Sequence, residues 1–158
     1  LVITKLLQRL KCSPEILKNK FFKLMLSHLL LGTNHLQASR QFYDAVLGVL
    51  GAAPATHIQV NGFERYVWDH DGTRLMIATP RNGEPATHYN GFTLGFKTTS
   101  IDQLHRALDA ALAHGGLAIE DAPGWRRAPG NDRYLAYVRD PAGHKLCLMF
   151  REAWATSA

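Results

Sequence analysis

Two decapeptides decide how this chain is read: Tyr66-Val67-Trp68-Asp69-His70-Asp71-Gly72-Thr73-Arg74-Leu75 and Tyr137-Val138-Arg139-Asp140-Pro141-Ala142-Gly143-His144-Lys145-Leu146. They share Tyr-Val-x-Asp-x-x-Gly-x-(Arg/Lys)-Leu at a constant offset of 71 residues. Each reads as a β-hairpin. The leading residues form an incoming strand. The Asp can accept hydrogen bonds from backbone N–H groups of the turn, and the Gly supplies a positive φ before the outgoing strand. On this reading Tyr66 and Tyr137 occupy equivalent positions.

The same order of elements precedes both copies. In the first, a short apolar run at 27–33 leads to Asn34 and Gln37, spaced as a helix-start capping box. Leu36, Phe42, Tyr43, Val46, Leu47 and Leu50 recur at helical spacing, and Gly48 and Gly51 end that segment. Strand-like runs come next near 56–60, 63–69 and 74–79, separated by the turn dipeptides Asn61-Gly62 and Asp71-Gly72. In the second copy a strand at 92–98 precedes the capping pair Ser100 and Gln103, where loss of the serine would cost about 1 kcal/mol. Ile101, Leu104, Leu108 and Leu112 form an apolar helix face that Gly115-Gly116 stops. Strand-like runs then lie near 117–121, 134–140 and 145–150. Repetition of order as well as letters points to duplication. The expected fold class is α+β: two strand–helix–strand–strand–strand (βαβββ) modules at 25–80 and 91–152. A polar linker at 81–90 joins them, and a tail at 153–158 completes the chain.

Charge isolates the remaining segment. The chain carries 18 basic and 13 acidic residues, for a net charge of +5. Residues 1–24 hold six of the basic residues and only one acid, Glu15, so residues 25–158 hold 12 of each sign and are neutral. The basic character therefore belongs to an N-terminal arm, and a nucleic-acid-binding domain is not expected. The arm is read either as a dispensable appendage preceding Met25 or as an amphipathic helix built on Ile3, Leu6, Leu7 and Leu10. No apolar run approaches a membrane span; the longest, residues 24–31, is interrupted by Ser27 and His28. Two cysteines, Cys12 and Cys147, are too few for a disulfide framework and fit a reducing, cytoplasmic compartment. A chain of this length buries roughly 70% of its unfolded surface and needs no covalent or metal staple.

At these residues the chain resembles the vicinal-oxygen-chelate superfamily of glyoxalases, bleomycin-resistance proteins and extradiol dioxygenases. The likeness is carried by the stretch from His28 through Tyr43 with its helix from Asn34 onward, the strand at 90–96, the loop Gly124–Arg126 with Tyr134 beyond it, and the run at 136–146 with its Asp-Pro-x-Gly turn. The resemblance implies that paired modules curl into an incomplete barrel around a shared cavity, that the chain forms a homodimer, and that the ligand is a small molecule. It also implies where a divalent metal would sit, on the first and last strands of each half. Those positions read His28, Met76, Thr93 (or Phe92 with a one-residue shift) and Cys147. No carboxylate stands at any of them, and a thioether suits hard divalent ions badly. The expectation is therefore a cavity without the usual metal, in which no cofactor is needed. The alternative is a metal-dependent lyase, isomerase or dioxygenase holding its ion through His28 and other ligands.

Further site candidates come from residue chemistry. His28 is the one general acid or base among the four positions, since its unperturbed pKa lies near neutrality. Cys147 reads either as an inert buried thiol or as half of a Cys–His pair with His28. Tyr66 and Tyr137 could orient a ligand from the cavity wall or pack in the core. Trp125, Arg126 and Arg127 are expected in a Gly/Pro-flanked loop, where an aromatic and a guanidinium could close over an anionic or planar ligand, with Lys97 adding to it. His35, His70, His88, His114 and His144 read as surface histidines of helix ends, turns and linker. His57 and His105 show no partner pattern. A third role, an assembly or regulatory module docking through the arm, rests on the arm alone.

Overall fold

A computed structural model describes residues 26–155. The arm and the end of the tail lie outside the described residues, and so does Cys12. Among the described residues eight strands and three helices occur in this order: β1 (Leu29–Gly32), α1 (Leu36–Val49), β2 (Thr56–Val60), β3 (Phe63–His70), β4 (Thr73–Ala78), β5 (Leu94–Lys97), α2 (Ile101–Ala113), β6 (Leu117–Arg126), β7 (Arg133–Arg139), β8 (Lys145–Phe150) and α3 (Glu152–Ala155). The strands form two four-stranded sheets, β1-β4-β3-β2 and β5-β8-β7-β6, each with one parallel pair at its first strand and antiparallel pairing beyond. The fold is thus α+β with two βαβββ modules, and the sheets do not close into a barrel. The tail opens with the short helix α3. No helix of the described residues is long and apolar enough to cross a membrane.

Both principal helices end in the same way. Gly51 (φ 100°) comes after α1 and lets the N–H of Ala52 reach the carbonyl of Leu47. Gly115 (φ 87°) comes after α2 and lets Gly116 reach Ala111. These are left-handed stops that satisfy otherwise orphaned carbonyls. Gly48, expected to help end α1, lies within it. The helix starts differ. Ser100 caps α2 by accepting from the N–H of Gln103 at 3.0 Å, while the Gln103 carbonyl oxygen accepts from Thr99. The capping box expected at Asn34 and Gln37 does not form: His35 is the cap residue and makes no side-chain cap. Asn34 instead grips the linker, donating to the carbonyl of Ala86 and accepting from its N–H at 2.7 Å. Gln37 donates to the Tyr66 hydroxyl.

One face of each sheet and both helices share a single core. It joins Phe42, Tyr43 and Val46 of α1 with Leu104, Leu108 and Ala111 of α2. Tyr66, Trp68, Leu75 and Ile77 enter from the first sheet, and Ala136, Val138, Leu146, Leu148 and Phe150 from the second. A buried polar contact crosses this core. The Tyr43 hydroxyl donates to Asp140 Oδ2 at 2.7 Å, while Asp140 Oδ1 accepts from the N–H groups of Ala142 and His144. His144, which reads as a surface histidine in the sequence, is only 2% exposed, and its Nε2 meets the Gly32 carbonyl at 2.8 Å. A backbone acceptor therefore fixes the proton on Nε2.

The two copies of the hairpin differ in register. Asp71-Gly72 makes a two-residue turn with positive φ at both positions, so His70 faces Thr73 and Val67 faces Met76. In the second copy Ala142 stands where Asp71 does, and alanine disfavours positive φ. The chain takes a longer turn over residues 140–144, Arg139 faces Lys145, and Tyr137 faces Cys147. A one-residue slip moves a side chain to the other side of a sheet. Tyr66 consequently packs in the core while Tyr137 lies on the opposite face, so the expected equivalence of the two tyrosines fails. Met76 and Cys147 remain true counterparts: each is buried, and each lies outside the core cluster on the face turned away from the helices.

Two consequences for stability can be measured. A Cβ at Gly116 would stand 2.7 Å from the Ala111 carbonyl oxygen and 2.9 Å from Phe42. Gly116→Ala is expected to destabilise the fold by about 1–3 kcal/mol in urea unfolding, through overpacking where the halves meet. Burial pushes the Asp44 carboxyl up, but hydrogen bonds from the Ala55 N–H, Arg40 and the Trp68 indole together hold it below its ordinary value. A depressed carboxyl pKa contributes stability above the unfolded pKa and loses it as pH falls through the folded one. The stability difference between wild type and Asp44→Asn should therefore be full at neutral pH and shrink toward zero in acid, as read by thermal melts from pH 7 to pH 3.

Candidate functional site

Strand alternation sorts the candidate residues by face. On the outer face of the first sheet, Leu30 faces Met76 and Met76 faces Val67. His28 precedes β1 on the same alternation as Leu30; it is exposed and its Nδ1 lies 2.9 Å from the Ser27 hydroxyl. On the outer face of the second sheet, Gly95 faces Cys147 and Cys147 faces Tyr137. Thr93 precedes β5, exposed, on the alternation of Gly95. The expected strand at 92–98 begins only at Leu94. His28 and Met76 thus belong to one sheet, Thr93 and Cys147 to the other, and among the described residues no strand of one sheet pairs with the other.

Trp125 and Arg126 lie on strand β6 and not in a loop. A bulge between Ile119 and Gly124 lets the strand continue, so Trp125 faces Tyr134 and Arg126 faces Arg133. Glu120, within this irregularity, has a positive φ of 61°. Trp125 turns toward the core, edge-on to Tyr134 and Phe150. Arg126 turns the other way, toward the face of Tyr137 and Cys147. Arg127 leaves the strand, stacks on Trp125 with its guanidinium 4.5 Å from the ring and pairs with Asp132. His105 also has a partner, the Tyr134 hydroxyl at 3.1 Å.

The groups surrounding Cys147 all come from the second half. Burial pushes its thiol up; the Tyr137 hydroxyl, Lys145 and Arg133 pull it down, Glu120 pushes it further up, and the net shift is upward. Tyr137 is itself raised, first by burial and then by the adjacent sulfur. Lys145 lies over the Tyr137 ring at 4.5 Å and pairs with Glu120. Both hydrogen-bonding groups are therefore held in their neutral, proton-bearing forms at neutral pH. Lys145, Arg133 and Glu120 do not stand out in the sequence. Residues two apart along β7 and β8 from Tyr137 and Cys147 would have found Lys145 and pointed along the face toward Arg133, whereas Glu120 is presented by a bulge.

Residues 25–148 match the family model described as Glyoxalase/Bleomycin resistance protein/Dioxygenase superfamily. The chain belongs to this superfamily. It is 42% identical to a glyoxalase/bleomycin resistance protein of Albidiferax ferrireducens T118, whose crystal structure it matches with a TM-score of 0.73 over 81% of this chain and 100% of that one. A glyoxalase-related enzyme from Fulvimarina pelagi shares the fold at 20% identity, with a TM-score of 0.60 over 80% and 87% of the two chains. So does a family enzyme from Burkholderia phytofirmans PsJN, at 17% identity and a TM-score of 0.58 over 78% and 96%. No curated protein matches the sequence.

The family likeness makes the fit of a metal ion a question for the four superfamily positions. A hard divalent ion takes oxygen donors, whereas these positions offer an imidazole, a thioether, a hydroxyl and a buried thiol. These residues do not fit such an ion. Among the described residues no three His, Cys, Asp or Glu side chains are grouped to hold one. The protonated state of the thiol has a direct consequence. In a Cys12→Ser background, Cys147 should react with an aromatic disulfide reagent at pH 8 at least about tenfold more slowly than a free thiol, and become fully reactive only on unfolding.

Proposed function

We propose that this protein binds a small organic molecule on the outer faces of its sheets without a bound divalent metal, and that two chains pair to enclose it. The observation that carries this reading is the donor set His28, Met76, Thr93 and Cys147, which occupies the superfamily's ligand positions and lacks its carboxylates. Binding in place of proton transfer is supported by the neutral states of Cys147 and Tyr137. Pairing is supported by the division of the four positions between two sheets joined by no strand pair. A second copy could set the Met76 face of one chain against the Cys147 face of the other. The free, buried thiol of Cys147 suits the reducing cytoplasm in which we place the protein.

Metal analysis of protein purified without chelator tests the reading. Well under one ion per chain is expected, since a site lacking carboxylates has little to hold a hard divalent ion. One ion per chain, lost in His28→Ala, would instead establish the metal-dependent lyase, isomerase or dioxygenase alternative. Light scattering should give the mass of two chains. A ligand at a hundredfold excess over its Kd should stabilise the fold by about 2.7 kcal/mol, readable as a thermal shift across a panel of small organic molecules.

A further inference from the structure

Three exposed asparagines are followed by glycine: Asn61, Asn82 and Asn90. Asparagine is among the thermolabile side chains. A glycine after it has no Cβ to shield its main-chain nitrogen, which can turn back on the asparagine side chain where the backbone is free to rotate. The structure treats the three dipeptides differently. Asn61 (φ 52°) and Gly62 (φ 76°) form the two-residue turn between β2 and β3, and the facing pair Val60 and Phe63 holds it closed. Asn82 is tied twice: its Oδ1 accepts from the Glu84 N–H at 3.1 Å, and the Gly83 nitrogen donates to the Pro80 carbonyl at 3.3 Å. Among the described residues no protein group holds the Asn90 side chain or the Gly91 N–H by a hydrogen bond. Yet Asn90 stands between two anchor points of the linker. On one side Asn34 grips Ala86 through both of its amide atoms, and His88 lies so close to Gly143 that an added Cβ there would come 2.7 Å from its Nδ1. On the other, Phe92 meets the buried His144 ring edge-on at 6.2 Å, and His144 in turn holds the Gly32 carbonyl.

We propose that Asn90 is a site of spontaneous covalent modification, and that its conversion to isoaspartate loosens the linker from the turn over residues 140–144. The Gly91 nitrogen bonds to Asn90 Cγ and gives up its proton, and the side-chain amide takes that proton and leaves as ammonia. Water then opens the resulting five-membered imide at one of its two carbonyls, giving aspartate or isoaspartate. In isoaspartate the main chain runs through the former side chain and is one methylene longer. The insertion falls two residues before Phe92, so it displaces Phe92 from His144 while Asn34 still grips Ala86. The site is separate from the proposed ligand site and stands or falls without it.

The test ages the full chain in warm buffer at pH 8 and follows each asparagine by peptide mass mapping. Methylation by an isoaspartate-specific methyltransferase separates isoaspartate from aspartate. Asn90 is expected to convert at least tenfold faster than Asn61 or Asn82, and Asn90→Ala should remove that signal. Chains carrying isoaspartate at position 90 should melt about 2 °C or more below fresh protein. Asn90→Asp has the same charge on a main chain of ordinary length, and should melt as fresh protein does. Conversion at Asn61 or Asn82 as fast as at Asn90, or an Asn90 that stays intact while the urea-unfolded chain converts, would overturn the site. An unchanged melting temperature in the isoaspartate form, or an equal fall in Asn90→Asp, would overturn the loosening.

Discussion

The hydrogen bond from Tyr43 to Asp140 is the constraint on which the second half of this molecule depends. A buried carboxylate is costly unless its lone pairs are used. Asp140 uses them on a hydroxyl from α1 and on two N–H groups of its own turn. That arrangement ties the first helix to the last hairpin and braces the longer turn that Ala142 favours. The turn then sets the register of β7 against β8, and the register decides which residue shares a face with Cys147. A tyrosine lies there where the first half places Val67. The character of the second outer face is thus decided at the turn that closes the hairpin.

The two halves therefore repeat a scaffold without repeating a surface. Their core faces are alike, with aliphatic and aromatic residues of both sheets meeting the helices. The outer faces diverge. The first centres on Val67 and Met76, both nearly inaccessible, and the second interleaves cations with apolar residues. Core faces are constrained by packing density, since a changed volume is felt across the whole cluster. Outer faces escape that constraint and can hold charges that the fold itself does not need. Unpartnered donors such as Arg133 Nε reduce stability unless water or another group satisfies them.

The duplication, the Asn61-Gly62 and Asp71-Gly72 turns, the Ser100 cap and the glycine stops are legible because each is local chemistry with a short-range signature. Asn34 misleads because its side chain has two equally good uses. It could cap the helix or pair with the backbone of Ala86, and only the path of the linker decides. The equivalence of Tyr66 and Tyr137 fails at one letter, Ala142 in place of Asp71. That letter is readable in principle, since a type I′ turn needs residues that accept positive φ. The continuation of β6 through Trp125 and Arg126 is hidden by a bulge, a non-local device whose sequence signal is weak. His144 cannot be placed from sequence because its burial depends on the Gly32 carbonyl from the other half.

The site positions are legible as positions and not as a site. Spacing puts Met76 and Cys147 in correspondence, and the structure keeps them so. Spacing does not reveal what surrounds them, because neighbours across a strand come from register. Once register is known, the chemistry narrows. A protonated thiol and a neutral phenol cannot accept a proton from a carbon acid at neutral pH without first losing their own, and burial opposes that loss. Guanidinium groups act only as hydrogen-bond donors. The face therefore offers hydrogen-bond donors and positive charge at neutral pH.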